Sequence, residues 1–252
     1  MKRDAAYFDQ WYADMESSPT RDALIARILS LPSGLESTGL LSPHAIDEVT
    51  TALHLRDDAL VLDVACGRGG YGIEIARRTG SRLIGIDFSA VAVEQARRRT
   101  ARLELPTGRA QFHVGALDAT GLPAGIGDGL MCIDSVQFAE PPLSAMVEFR
   151  RLLRPGGRLV MTCWEASDRS DNRVPPRIKA VHLDRDLSAA GFVDVQVRDK
   201  ADWRAVERTV WQAAVAAPAD SDPAMQSLQA EGRRSLDTFD ALRRVFATAT
   251  AP

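Results

Sequence analysis

The residues of this chain best suited to chemistry lie between Val61 and Asp87. Gly67, Gly69 and Gly72 are spaced as G-x-G-x-x-G. Glycine is needed where the backbone must take positive φ or where a ligand lies directly on the main chain. Such a turn after a strand builds a cradle for a nucleotide-like ligand. Asp63 stands four positions before Gly67, and Asp87 follows Gly67 by twenty. A carboxylate placed like Asp87 accepts hydrogen bonds from ribose hydroxyls. A carboxylate placed like Asp63 repels a pyrophosphate and suits a cation. The pair therefore favours an adenosine-containing ligand that carries positive charge over a dinucleotide. The chain also lacks a Tyr-x-x-x-Lys, and its four histidines are scattered, so hydride transfer to a nicotinamide is the weaker alternative.

These residues need a strand, a turn and a helix to hold them. Val61, Leu62 and Val64 read as a buried strand, and Ile73, Ile75 and Ala76 begin a helix after the glycines. The alternation continues to residue 165, with strands predicted over 59–65, 82–87, 110–114, 129–134 and 157–164. Helices are predicted over 70–79, 89–102 and 142–153, where Leu143, Met146, Phe149 and Leu152 share a face. This βαβα order argues for a parallel sheet with helices on both sides. Residues 4–54 read as mostly helical, broken at Pro32-Ser33-Gly34 and restarted by Ser42-Pro43. In the last third, Leu183 to Ala190 is a short helix stopped by Gly191, and Val193, Val195 and Val197 alternate as a strand. Trp203, Val206 and Val210, then Met225, Leu228, Leu236 and Phe239, have helical spacing. The stretch RRVFATATAP either finishes that helix or forms a last strand, and its β-branched alternation favours the strand.

Four blocks resemble class I S-adenosylmethionine-dependent methyltransferases, of the subgroup that acts on small molecules. LDVACGRGG (62–70) resembles the family's acid-then-glycine turn, and LIGIDFS (83–89) the acid ending its second strand. FHVGALDATGLP (112–123) resembles the block that approaches the adenine, and RLLRPGGRLVMTCWE (151–165) the helix, Pro-Gly-Gly turn and fifth strand. The resemblance implies an α/β, Rossmann-like, doubly wound seven-stranded sheet, mostly parallel with an antiparallel C-terminal strand, plus an N-terminal helical lid. It implies a single methyltransferase domain over 1–252: a lid in 1–56, a cofactor-binding core in 57–165, and substrate-side helices and C-terminal strands in 166–252. The implied cofactor is S-adenosyl-L-methionine, leaving as S-adenosyl-L-homocysteine.

Carried over residue by residue, the resemblance sets Gly67 and Gly69 against the methionine portion and Asp63 near its ammonium. Asp87 takes the ribose hydroxyls, Phe88 flanks the adenine, and Leu117 and Asp118 line its edge. The block departs from the commoner Gly-Asp-Ala, reading Gly115-Ala116-Leu117-Asp118, which leaves open whether Asp118 or a backbone amide meets the adenine amine. Tyr7, Thr38, Ala65 and Asp134 complete the implied cofactor contacts, with Ser37-Thr38 resembling a cofactor-contacting turn.

Methyl transfer is an in-line displacement from an already activated sulfonium, so alignment and water exclusion dominate. A general base is needed only if the nucleophile must lose a proton. The substrate is expected beyond the carboxyl ends of the strands. There, many relatives carry a histidine where this chain has Gln137, which can orient a hydroxyl or amine but cannot act as a base. The candidate catalytic residues are Gln137 and His182. Tyr12, Gln137 and Trp164 are the candidate substrate contacts, and Glu165 is expected near them. The aromatics Tyr7, Phe8, Trp11 and Tyr12 have helical spacing suited to core or to a lid over the pocket.

The chain has 252 residues, 45% hydrophobic and 26% charged, with a formal net charge of −3. That balance gives no general pull toward nucleic acid or an anionic membrane. Arg97-Arg98-Arg99 reads as a solvated helix face. No signal-peptide core and no run long enough to span a membrane occur in the sequence. Cys66, Cys132 and Cys163 lie in or beside apolar runs without a CxxC, so reduced thiols and no metal site are expected. A cytoplasmic monomer or homodimer is expected, and the resemblance implies that it methylates an O, N or C nucleophile in bacterial secondary metabolism. A methyltransferase fold turned to a non-methylating reaction such as cyclisation is the alternative.

Overall fold

The computed structural model describes residues 4–36, 38–103, 105–106 and 108–252, and it leaves the Pro19 side chain aside. The chain begins with α1 (Ala5–Glu16), α2 (Pro19–Leu29) and α3 (Pro43–Ala52). Asp4, Ser18 and Ser42 cap them, accepting from the amides of Tyr7, Arg21 and Ala45. Such caps satisfy amides that have no partner within the first turn. The alternating region follows as β1 (Leu60–Val64), α4 (Gly70–Thr79), β2 (Arg82–Asp87), α5 (Ala90–Arg102), β3 (Ala110–Val114), β4 (Gly127–Ile133), α6 (Pro142–Leu152) and β5 (Leu153–Ala166). Then come α7 (Pro176–Lys179), α8 (Leu183–Ala189), β6 (Val193–Asp199), α9 (Ala201–Ala216), α10 (Pro223–Asp237) and β7 (Leu242–Thr250).

The strands form one seven-stranded sheet in the order β3-β2-β1-β4-β5-β7-β6. Pairs from β3 through β5 are parallel, whereas β7 runs antiparallel to both β5 and β6. This is the predicted Rossmann-like sheet, and RRVFATATAP supplies its last strand rather than the end of a helix. The strand order reverses between β1 and β4, where open α/β sheets bind their ligands.

Both faces of the sheet are covered, so central strands read as nearly continuous apolar runs. Leu62, Val64, Leu130, Met161 and Ala247 pack with Met146, Phe149 and Leu187 of α6 and α8. Val61, Met131, Val160 and Phe246 pack on the other face with Ile46, Ile75 and Val93 of α3, α4 and α5. Burying each such large side chain contributes roughly 1.5–3 kcal/mol. A third apolar cluster joins α2, α9 and α10 through Ile25, Val210 and Met225. The Ser18 hydroxyl donates to Asp222 at 2.5 Å, so the caps of α2 and α10 are tied to each other.

The arginine run of α5 differs from its expected solvated face. Arg98 is half exposed and pairs with Glu16. Arg99 is buried, donating to the Gly34 carbonyl at 3.0 Å and pairing with Glu36. Ala92, Ala96 and position 99 follow one helix face, and that face is the inner one.

Candidate active site

The turn after β1 is held in left-handed backbone at Ala65 (φ +63°), Gly67 (φ +53°) and Gly69 (φ +76°). Such a conformation costs a non-glycine residue like Ala65 about 1–2 kcal/mol, so the surrounding structure imposes it. A Cβ on Gly69 would stand 2.9 Å from the Phe112 ring, and one on Gly72 only 2.6 Å from Asp63 Oδ2. The glycines thus admit close packing from below and the Asp63 carboxylate from the side.

Asp87 ends β2 and clamps the turn. Its Oδ2 accepts from the Gly67 amide at 2.8 Å and its Oδ1 from the Ser89 amide at 2.9 Å. Asp63 is 2% exposed and is bonded by the Gly72 amide. Burial, and then the Asp87 charge, push the Asp63 carboxyl up to about 8. Burial pushes Asp87 up to about 6 against the pull of its amide donors. Among the described residues no cationic side chain offsets Asp63. Two neighbouring buried carboxylates short of positive charge form a receptor for a cation.

Helix α1 closes over this cradle. The Tyr12 hydroxyl is hydrogen bonded to the Thr38 side chain, and a Cβ on Gly67 would meet these two groups at 2.9 and 3.1 Å. The Phe8 ring lies 5.2 Å from Phe88 and 5.5 Å from Phe138, bridging the loops after β2 and β4. Tyr7 packs edge-on against Phe8 at 5.2 Å. Asp9, which the sequence did not single out, accepts from the Ser89 hydroxyl at 2.5 Å and the Val91 amide at 3.3 Å. Ser37, expected beside Thr38, lies outside the described residues.

The carboxyl end of β4 presents a second polar group. Asp134 has φ +56°, and the tight turn after it brings the Gln137 amide onto the Asp134 carbonyl at 2.7 Å. Thr162 donates to Asp134 Oδ1 at 2.8 Å. Arg244 of β7, fully buried, pairs with the same carboxylate and donates to Glu207 of α9 at 2.6 Å. Trp164 donates to the other Glu207 oxygen at 3.1 Å and stacks edge-on with Phe239. A Cβ on Gly39 would lie 3.5 Å from Asp134 Oδ2. The adjacent Thr38 stands over Gly67, so the 38–39 segment joins the two polar groups.

Asp63, Ala65, Gly67, Gly69, Asp87, Phe88, Tyr12 and Thr38 are therefore gathered around one turn, with Tyr7 on the helix above it. Asp134 and Gln137 adjoin it, and Trp164 stands behind them on β5. Leu117 packs against the core, whereas Asp118 is exposed and accepts from the Ser144 hydroxyl at 3.4 Å. His182 stands at the N-terminal boundary of α8 without a side-chain capping bond, and burial and the charges of Arg169 and Arg185 lower its pKa. Glu165, expected near the substrate, turns inward instead. It accepts from the Leu183 amide at 2.7 Å and pairs with Arg243 at 2.5 Å. Its buried position on β5 needs both partners, because a buried carboxylate without donors is unfavourable.

A glycine cradle under the strand-order reversal, with one acid in β1 and one ending β2, defines a Rossmann-like methyltransferase fold. Residues 61–157 match the family model described as a methyltransferase domain. They form a domain of the class I, S-adenosylmethionine-dependent family. Among curated proteins the chain is similar to the O-methyltransferase cnsE of Penicillium expansum, 31% identical over 67% of this chain and 64% of that protein. It is also similar to the S-adenosyl-L-methionine-dependent Diels-Alderase iccD of Talaromyces variabilis, at 26% identity over 67% of this chain and 68% of that protein. The chain spans less than two thirds of the length of the first curated relatives it matches. Among solved structures, the [4+2]-cyclase SpnF superposes with a TM-score of 0.72 at 21% identity, covering 91% of this chain and 92% of that one. That likeness concerns the fold.

Proposed function

We propose that this protein transfers a methyl group from S-adenosyl-L-methionine to an O, N or C nucleophile of a small molecule. The buried pair Asp63 and Asp87 at the glycine turn, where no cationic side chain among the described residues offsets Asp63, carries this reading. The donor set fits the cofactor. Its ammonium and sulfonium supply the positive charge that Asp63 lacks, whereas a pyrophosphate would add negative charge beside two carboxylates. When bound, the cofactor supplies an activated methyl group.

Gly67 and Gly69 let the ligand lie on the backbone, Asp63 holds the ammonium, and Asp87 accepts from the ribose hydroxyls. Phe88 flanks the adenine with Leu117 and Asp118 at its edge, and Tyr7, Thr38, Ala65 and Asp134 complete the contacts. Residues 1–56 act as a lid, with α1 excluding water from the cradle, and residues 166–252 form the substrate side. Tyr12, Gln137 and Trp164 meet the substrate. Gln137 orients the nucleophile rather than deprotonating it. His182, whose pKa burial and the Arg169 and Arg185 charges lower, is the candidate base where the nucleophile must lose a proton. A small-molecule substrate, a cytoplasmic setting and secondary metabolism complete the proposal. Among the described residues no helix is long and apolar enough to cross a membrane.

Titration calorimetry with S-adenosylhomocysteine and with NAD tests the cofactor. Binding of the first and no response to the second is the expected result, and the reverse pattern would refute the assignment. Similarity to a Diels-Alderase supports a second reading, in which the cofactor is bound but its methyl is kept. Incubation with methyl-labelled cofactor and candidate nucleophiles separates the two. Label in the product supports transfer, and a rearranged product without label supports cyclisation.

A further inference from the structure

The glycine turn also borders a cleft. This cleft of about 600 Å³ lies between α5 and the α1–α2 pair, and Arg68, the residue between Gly67 and Gly69, is part of its wall. Arg98, Arg99 and Arg102 line it as well, together with Gln95. Three carboxylates, Glu16, Asp22 and Glu36, share the lining. Among the described residues of the lining, four guanidinium groups stand against three carboxylates.

The existing pairs do not use up this surface. Arg68 holds Asp22 at 2.8 Å, Arg98 holds Glu16 at 2.8 Å, and Arg99 holds Glu36. Arg102 lies 4.0 Å from the same Glu36 oxygen, beyond hydrogen-bonding distance. The Arg68 and Arg99 side chains are 4% exposed, whereas those of Arg98 and Arg102 are 51% and 67% exposed at the rim. Arg99 Nε and Gln95 Oε1 are buried without a hydrogen-bond partner among the described residues. A buried polar atom left without a partner is costly, and native structures seldom keep one. Burial brings Arg99 down to about 10 although Glu36 opposes the shift, and the Arg68 and Arg102 charges add to it. A negatively charged group in the cleft would give Arg99 Nε an acceptor and offset the Arg68 and Arg102 charges, while Gln95 Oε1 needs a donor.

A guanidinium presents a planar fork of donors that matches carboxylate and phosphoryl oxygens. We propose that this cleft binds a small molecule bearing an oxyanion, either phosphoryl or carboxylate, at a site separate from the cradle. Arg99 Nε and the Arg102 guanidinium donate to the oxyanion, and Gln95 Oε1 accepts from a hydroxyl of the same molecule. The two sites share a wall, because Gln95 donates to the Tyr12 carbonyl at 3.0 Å while the Tyr12 hydroxyl covers Gly67. Calling the sites separate rests on the cofactor reading of the cradle.

The test is phosphorus NMR line broadening of inorganic phosphate and calorimetry with citrate, both at an ionic strength held constant with chloride. Saturable binding of at least one anion is expected, and the one that binds identifies the group. The Arg98→Ala/Arg102→Ala double variant changes only rim side chains and is expected to weaken binding tenfold or more. The single Arg102→Glu variant gives the same reading should the double variant fail to fold. Saturating S-adenosylhomocysteine should leave the anion bound. Absence of saturable binding, affinity unchanged by both variants, or displacement by S-adenosylhomocysteine would overturn the proposal. S-adenosylhomocysteine affinity is measured without the anions, so failure of the cradle reading is seen separately.

Discussion

Arg244 Nη2 donates to Asp134 Oδ2 at 2.9 Å while its Nη1 lies 2.5 Å from Oδ1, with none of the Arg244 side chain exposed. The same guanidinium reaches Glu207 at 2.6 Å, so one buried cation serves two carboxylates from β4 and α9. Removing one partner of a buried pair strands the other and costs about 3–5 kcal/mol. Arg244→Met is expected to destabilise the protein by that order, read as a lower urea midpoint. A midpoint equal to wild type would show that the network is dispensable.

The Asp63 carboxyl stands near 8 in the fold and near 4 in the unfolded chain. A raised acid holds its proton in the folded state, so its contribution to stability falls as pH rises from about 4 to about 8. Asp63→Asn is therefore expected to gain stability relative to wild type across that window. A cationic cofactor favours the ionised form, so binding to wild type at pH 6.5 should release a proton. Calorimetry in buffers of different ionisation enthalpy reads that proton, and its persistence in Asp63→Asn would assign it elsewhere.

Asp87 holds the Gly67 and Ser89 amides and is read as the ribose contact. Asp87→Ala removes charge-assisted bonds worth roughly 1.5–3 kcal/mol each. S-adenosylhomocysteine affinity is expected to fall at least tenfold in calorimetric titration, with unchanged affinity contradicting the contact.

Gly67 combines φ +53° with Tyr12 oxygen 2.9 Å from where a Cβ would stand. Gly67→Ala must shift the Tyr12 and Thr38 side chains that hold α1 over the cradle, or distort the turn. Faster amide hydrogen exchange across 5–16, with the exchange of β4 and β5 preserved, is the expected outcome. Tyr12→Phe, which removes only the bond to Thr38, should produce a smaller effect in the same segment.

The sheet and the cradle were readable because consecutive residues write them. Strand, glycine turn and helix follow one another from Val61 to Ala76, and Asp87 falls where the next strand must end. Arg244 was not readable in the same way, since Asp134 lies 110 positions earlier and only the β4–β5–β7 order brings them near. Its parity with Phe246 in an alternating strand was a usable sign that it faces inward. Arg99 carried a comparable sign in its phase with Ala92 and Ala96, masked by the neighbouring arginines. Glu165 sat at the right end of β5, but its inward side was set by Arg243 and the start of α8.

The place of β7 between β5 and β6 has a consequence for synthesis. Of the seven strands it leaves the ribosome last, yet β6 has no other neighbour in the sheet. Until β7 arrives, β6 lacks its partner strand and Asp134 lacks Arg244. The glycine cradle can form early from local sequence, but the far side of the pocket stays unfinished until translation has passed Arg244.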